Sequence, residues 1–188
     1  MVIETDRLII REFIENDKEA VHEYASDPLV TRYTLWGPNT IEDTESFLGR
    51  MLEMQLELPR TGYELAIVSK ACNRLIGGCG IYLDGTNGEI GYTLHKEYWQ
   101  QGFATEAAQA MLSLGFNTYG LHRIHATCRP GNIGSAKVLE KIGMTREGLL
   151  REHLWSKNTY HSSYLFSILE HEYRRIFTNA EIKCIIME

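Results

Sequence analysis

The sequence predicts a mixed α/β domain, a sheet with a helix crossover in its middle. Three observations carry this. Short apolar-rich runs bounded by polar or glycine turns, such as Tyr63 to Ser69 and Arg74 to Leu83, have strand character. From Thr105 to Tyr119 the apolar residues Ala107, Ala110, Met111 and Leu114 recur at helical spacing. Beyond residue 88 strands and helices alternate, the order of a crossover between neighbouring strands.

Taken in order, Asp6 to Phe13 is expected as a strand with Leu8 and Ile10 on one face. Asn16 to Ser26 is expected as a helix, with Asn16 as N-cap and Glu19 three residues on; Asp27-Pro28 ends it. Thr40 caps a helix drawn through Leu58, with Phe47, Met51, Met54 and Leu58 on one stripe. Two strands follow, Tyr63 to Ser69 and Arg74 to Leu83, and a turn at 84–88 leads to a third, Glu89 to His95. After the helix Thr105 to Tyr119 come a strand, Arg123 to Cys128, and a helix, Asn132 to Ile142, closed by Gly143. Met144 to Leu150 and Thr159 to Leu169 form a hairpin. Glu181 to Glu188 is a short tail, helical or strand-like, without chemistry.

The 188 residues, 44% hydrophobic and 23% charged, fit one soluble domain spanning 1–188 that buries its core without staples. No apolar run approaches the roughly 20 residues of a membrane span, and Met1 to Arg7 lacks a signal pattern. Cys72, Cys79, Cys128 and Cys184 form no C-x-x-C pair, so neither metal nor disulfide is expected and a reducing cytoplasm suits them. Residues 1–60 hold thirteen Asp and Glu against six Lys and Arg, which accounts for the net charge of −6. That balance argues against a nucleic-acid surface; the acidic excess is a solvated helix face or, as an acidic rim, would steer a cationic acceptor.

Gln101-Gly102-Phe103-Ala104-Thr105-Glu106 joins a strand to a helix. The first N–H groups of a helix lack intrahelical partners and its dipole favours an anion. Gly102 admits a close backbone approach and Ala104 adds little bulk, so the loop is read as a pyrophosphate cradle. Thirty residues on, Asn132-Ile133-Gly134-Ser135 opens a second helix. The glycine-rich Ile76-Gly77-Gly78-Cys79-Gly80 precedes more strand rather than a helix, so it is no dinucleotide fingerprint.

The chain resembles the GNAT-fold acetyltransferases, in the branch that includes the ribosomal-protein N-terminal acetyltransferases. Glu4-Thr5-Asp6-Arg7-Leu8, Glu89-Ile90-Gly91-Tyr92, Tyr98 through Ala107, Leu121-His122-Arg123-Ile124 and Asn132-x-x-Ser135-x-x-Val138-Leu139-Glu140-Lys141-Ile142-Gly143 carry the resemblance over residues 4 to 170. It implies a mixed, mostly antiparallel sheet flanked by helices, whose central parallel strands, ending at Leu94 and Cys128, splay apart to admit pantetheine. It also implies acetyl-CoA as co-substrate, no metal, and a primary amine as acceptor, either a protein N-terminus or a small molecule. A homodimer is left open, and a non-catalytic acyl-CoA-binding or regulatory module is the alternative reading.

The resemblance assigns the backbone N–H of Leu94, at a bulge of its strand, to the thioester oxygen. Gln100, Gln101, Gly102, Ala104 and Thr105 bind cofactor, joined by Asn132 on pantetheine and Lys141 on a phosphate. Trp99 and Gln100 depart from the family's usual Gln or Arg and Gly in the cradle. Its tyrosine acid position is Leu139, and Ser135 is the replacement as donor to the leaving thiolate. Asn132 is equally a helix cap, and Lys141 equally a solvated cation. Glu89 is the first choice of general base, with Glu152, His153 and a water relay as alternatives. Tyr33, Trp36, Trp155 and Tyr160 line an acceptor pocket or belong to the core.

Overall fold

The structure, a computed structural model, describes residues 1–177. Eight strands form one sheet in the order β1-β2-β3-β4-β5-β6-β8-β7. They are β1 (Val2–Glu4), β2 (Leu8–Glu12), β3 (Gly62–Ser69), β4 (Arg74–Asp84), β5 (Asn87–Leu94), β6 (Arg123–Cys128), β7 (Thr145–Ser156) and β8 (Thr159–Leu169). The helices are α1 (Lys18–Ala25), α2 (Ile41–Met54), α3 (Phe103–Ser113), α4 (Ile133–Lys141) and α5 (Glu170–Ile176). The predicted mixed, mostly antiparallel sheet flanked by helices is present. Among the described residues only β5 and β6 run parallel, because α3 carries the chain back between them.

The alternation of strand side chains sorts the core into two layers. Ile67, Cys79, Ile81, Ile90 and Ile124 pack on one face against Ala107, Met111 and Leu139 of α3 and α4. Ala66, Val68 and Phe13 pack on the other against Val21, Tyr24, Leu48 and Met51 of α1 and α2. Among the described residues no helix is long and apolar enough to cross a membrane.

Several element boundaries move. Asn16 does not cap α1: it lies in a short 3-10 turn, Glu15–Asp17, and Asp17 accepts from the Ile14 N–H at 2.9 Å while taking two bonds from Arg11. Thr40 does cap α2, in a reciprocal pair with Asp43. That helix stops at Met54, four residues early, since Leu56 and Leu58 are 81% and 96% exposed and no burial would reward another turn. α3 runs on through Leu114–Thr118 in wider π turns. β7 is longer than expected, with register breaks at Arg146/Gly148 and Leu150/Leu154. The three-residue β1 is too short to show a periodicity. Cys184 and the tail Glu181 to Glu188 lie outside the described residues.

Candidate active site

β5 and β6 pair only at Asn87–Arg123, Gly88–Ile124 and Glu89–His125. Beyond that fork β5 stays with β4 as far as Leu94, and β6 stays with β8 as far as Cys128. The two strands therefore open toward their C-terminal ends. At the mouth, the Thr93 carbonyl leans so far over Gly77 that a Cβ there would collide with it. Thr93 C=O and Leu94 N–H belong to one trans peptide and point oppositely. Leu94 N–H thus faces away from β4, into the opening, while the next N–H, of His95, returns to Ile76 O at 2.8 Å. The expected bulge is absent from β5: its register with β4 is unbroken through Leu94, and the irregularity lies between β3 and β4, where Ile76 is skipped. Trp99, the departure in the cradle, donates from Nε1 to Leu94 O at 2.9 Å and so holds the next peptide, Leu94–His95. The Leu94 side chain is core, as its composition alone suggests.

The cradle is assembled by the N-terminal segment. Gly102 takes φ +84°, a left-handed conformation suited to glycine, and starts α3 with no side-chain cap. The first helical bond joins Glu106 N to Gly102 O at 3.1 Å, so the N–H groups of Phe103, Ala104 and Thr105 precede it. Arg7 binds the Gln101 carbonyl at 2.8 Å, pairs with Glu106 at 2.7 Å and lies over the Phe103 ring at 4.5 Å. Thr5 Oγ1 donates to the same Glu106 carboxylate at 2.6 Å. Burial raises the Glu106 carboxyl, but these bonds prevail and lower it, keeping it ionised. Thr5 and Arg7, quoted only as part of a resemblance, therefore act as the lock of the loop. Gln101 turns its side chain back to Glu97 O at 2.7 Å and offers backbone only; Gln100 is exposed at φ +59°.

Ser135 lies on the first turn of α4. Asn132 caps that helix, its Oδ1 accepting from Ser135 N at 3.2 Å, which leaves its amide nitrogen as a donor. Tyr92 of β5 reaches across the opening: its hydroxyl is 3.0 Å from Ser135 Oγ and 3.1 Å from Ser135 O. Burial raises the Tyr92 phenol well above its ordinary range, so it stays protonated, although the Ser135 bond lowers it. The buried Cys128 thiol, at the end of β6, also meets Ser135, and burial raises it. Lys141 stands exposed at the far end of α4, roughly 9 Å along the axis from Ser135.

On β5, Ile90, Tyr92 and Leu94 face α3 and α4, so Glu89, Gly91 and Thr93 face the opposite side. Glu89 is exposed at the fork, 3.9 Å from His125 Nε2. On that same side Glu64 of β3 lies across Gly80, where a Cβ would strike its carboxylate, and accepts from the Tyr82 hydroxyl at 2.9 Å. Burial pushes the Glu64 carboxyl up to about 7, against the Tyr82 bond, which lowers it. The register Glu64–Gly80–Gly91 sets this carboxylate beside an open floor, since nothing lies within 4 Å of a Cβ at Gly91. Glu152 and His153 are exposed on the irregular stretch of β7, an edge strand two places from β6.

Glu64 and Tyr92 are the two residues the sequence reading missed. A lone carboxylate in the apolar run 62–69 is a signal for the first. For the second, Tyr92 shares a face with Leu94 by strand alternation. Six of the thirteen carboxylates of residues 1–60 are neutralised by a cation, and the other seven, Asp6, Glu15, Glu19, Glu42, Asp43, Glu53 and Glu57, are exposed. Glu4, Glu12, Asp17, Glu23, Asp27 and Glu45 pair with Lys70, Arg60, Arg11, Arg74, Lys96 and Lys18 at 2.7 to 3.1 Å. Among the described residues no group of three or more His, Cys, Asp or Glu is placed to hold a metal.

This arrangement agrees with the comparisons with known proteins. Residues 7–145 match the family model of the acetyltransferase (GNAT) domain. The chain is 38% identical over 175 residues to YnaD of Bacillus subtilis, described as an uncharacterized N-acetyltransferase, covering 92% of this chain and 99% of that one. A GNAT-family acetyltransferase structure from Bacillus anthracis superposes with TM-score 0.81 at 38% identity, covering 91% and 99%. At the level of fold alone, RimJ of Mycobacterium smegmatis superposes with TM-score 0.77 at 23% identity, covering 88% and 83%. With three-quarters of its length inside the family model, and with the parted strands and the loop that the fold requires, the chain belongs to the GNAT acetyltransferases.

Proposed function

We propose that the protein transfers an acetyl group from acetyl-CoA to a primary amine by direct attack in a ternary complex. The parting of β5 and β6 beside a helix start with free N–H groups carries this reading. The residues fit the co-substrate: Gly102 allows a backbone cradle for pyrophosphate, and the opening offers unpaired strand edges to the amides of pantetheine. The mycobacterial neighbour was solved with a CoA disulfide, which supports the same cofactor.

In this reading Gln101 through Thr105 hold the pyrophosphate by backbone, and Asn132 donates to pantetheine. Leu94 N–H donates to the thioester oxygen as charge gathers there. The amine nitrogen forms a bond to the acetyl carbon while the carbon–sulfur bond breaks. The sulfur takes a hydrogen bond or a proton from the Ser135 hydroxyl, which the neutral Tyr92 hydroxyl orients and resupplies. The amine proton leaves on the other face of β5, to Glu64 directly or through one water. A carboxyl near 7 is matched to that task at neutral pH. Glu89 remains the second carboxylate of that face, more solvated and farther from the mouth.

The test is CoA release from acetyl-CoA across a panel of primary amines, with Glu64→Gln and Glu89→Gln compared on the best acceptor. A larger kcat loss in Glu64→Gln is expected. Binding of acetyl-CoA without turnover on any amine would favour the acyl-CoA-binding module instead.

A further inference from the structure

The same face carries a cleft of about 370 Å³ at the mouth of the opening. Its wall takes Arg32 and Tyr33 from the turn before α2, Arg129 from the end of β6, and Lys157, Tyr160 and His161 from the β7–β8 hairpin. Arg129 directly follows Cys128. Strand alternation sends Cys128 toward Ser135 and Arg129 to the opposite side, one residue from the reaction centre. Each cation is fixed by a neutral group or a ring. Arg129 Nη1 donates to the buried Ser163 Oγ at 2.6 Å, Lys157 Nζ donates to Thr31 O at 2.6 Å, and the Arg32 guanidinium lies 5.2 Å over Tyr33. The Tyr33 ring in turn packs against Gly131, 3.3 Å from where a Cβ would stand.

These three cations share one cleft without a counter-charge. Arg7, Arg11, Arg60, Arg74, Lys96 and Arg123 all pair with carboxylates. No Asp or Glu lines the cleft, and among the described residues Arg32, Arg129 and Lys157 enter no ion pair. Burial lowers Arg129, and burial followed by the charge of Arg129 lowers Lys157, so the two cations are close enough to repel. Holding like charges together without an anion is unfavourable, and the arrangement is relieved when an anion arrives. The volume suits a small molecule, and guanidinium forks suit the paired oxygens of a carboxylate or phosphate.

We infer that this cleft receives a carboxylate or phosphate borne by the amine acceptor, so that the substrate class is a small acid-bearing amine. The inference rests on the acetyl-transfer reading for the word acceptor, and its sign is opposite to that of the cationic substrate expected from the acidic N-terminal third. The acid is held by Arg32, Arg129 and Lys157 while the amine end points over Gly91 toward Leu94 and Glu64.

The experiment has two arms. In the first, acetyl-CoA turnover is measured with matched acceptors: amino acids against their amides, and phosphoethanolamine against ethanolamine, with a polyamine alongside. The acid-bearing member of at least one pair is expected to show kcat/KM tenfold or more above its neutral partner, and the pair that responds tells carboxylate from phosphate. Lys157→Ala and Arg32→Ala, both at exposed residues, are expected to raise KM for that acceptor roughly ten- to hundredfold, the loss of one charge-assisted bond. Neutral amines or the polyamine used as well as the acids would overturn the inference. The second arm needs no turnover: inorganic phosphate and succinate are titrated by calorimetry into the wild type and Lys157→Ala, with CoA titrated as control. Anion binding that weakens in the variant with CoA affinity intact supports the cleft even if no amine is acetylated. Absence of anion binding, or loss of CoA affinity in the variant, overturns it, the latter by giving the cations to a cofactor phosphate.

Discussion

Tyr82 donates its hydroxyl to Glu64 at 2.9 Å, across two strands whose intervening residue, Gly80, has no side chain to separate them. The carboxylate is thereby held on the side of the sheet opposite α3 and α4, where burial raises it to about 7.

That shift has a signed consequence for stability. An unfolded Glu titrates near 4.3, so below about pH 4 both states carry the proton and nothing is lost. Between there and about 7 the unfolded chain releases its proton first and stability falls; above about 7 the full penalty stands. Glu64→Gln is expected to be more stable than wild type at pH 8, on the order of 1–3 kcal/mol, and equal to it at pH 4. Thermal melts at both pH values check this. In the wild type kcat/KM should rise through about 7 as Glu64 ionises, and the variant should lose roughly 10²–10⁴ in kcat if Glu64 is the base.

The Tyr92–Ser135 pair is expected to behave as one unit. Ser135→Ala and Tyr92→Phe should each lower kcat while leaving the KM for acetyl-CoA within about twofold. The double variant should cost less than the sum, with a coupling of about 0.5–3 kcal/mol. Strict additivity in single-turnover rates would separate the two hydroxyls mechanistically.

The cradle should fail from a distance. Arg7→Ala removes the bond to the Gln101 carbonyl and leaves the Glu106 carboxylate with the Thr5 hydroxyl and the backbone N–H of residue 7. Calorimetry should show weaker acetyl-CoA binding and melting should show a loss of about 1–3 kcal/mol. Arg7→Lys should not rescue, because one ammonium cannot serve both acceptors and stack on Phe103. Gly102→Glu places bulk and negative charge at the helix start and should abolish binding in a folded protein. Unchanged affinity in both would move the cofactor elsewhere.

Gly77 and Gly91 should answer oppositely to alanine. At Gly77 the new methyl meets Thr93 O, so Gly77→Ala should destabilise by about 1–3 kcal/mol and turn the Leu94 N–H, lowering kcat in whatever protein folds. At Gly91 nothing lies within 4 Å, so Gly91→Ala should melt with the wild type. Equal melting of the two variants would remove the tilted peptide from the account.

How much was legible differs from residue to residue. Gly102 and Asn132 could be placed because helix starts are local events: a glycine, a cap and a periodic apolar stripe lie within a few residues of each other. Thr40 and its helix were legible for the same reason, while Asn16 was misread because Asp17 had a stronger offer from Arg11 and the Ile14 N–H. The departure at Trp99 made sense only once its indole was found on Leu94 O.

By itself the sequence determined the order of strands and helices, the two helix starts and the family, since periodicity and capping are short-range and survive without knowledge of partners. The tertiary structure alone decided which charges are neutralised and which face is which. It joined Arg7 to Glu106, Glu64 to Tyr82 across Gly80, and Tyr92 to Ser135, pairs separated by as many as 99 residues in the chain. It also left Arg32, Arg129 and Lys157 together without an anion. Burial and Coulomb forces depend on distances in space, which a count of charges along the chain does not contain.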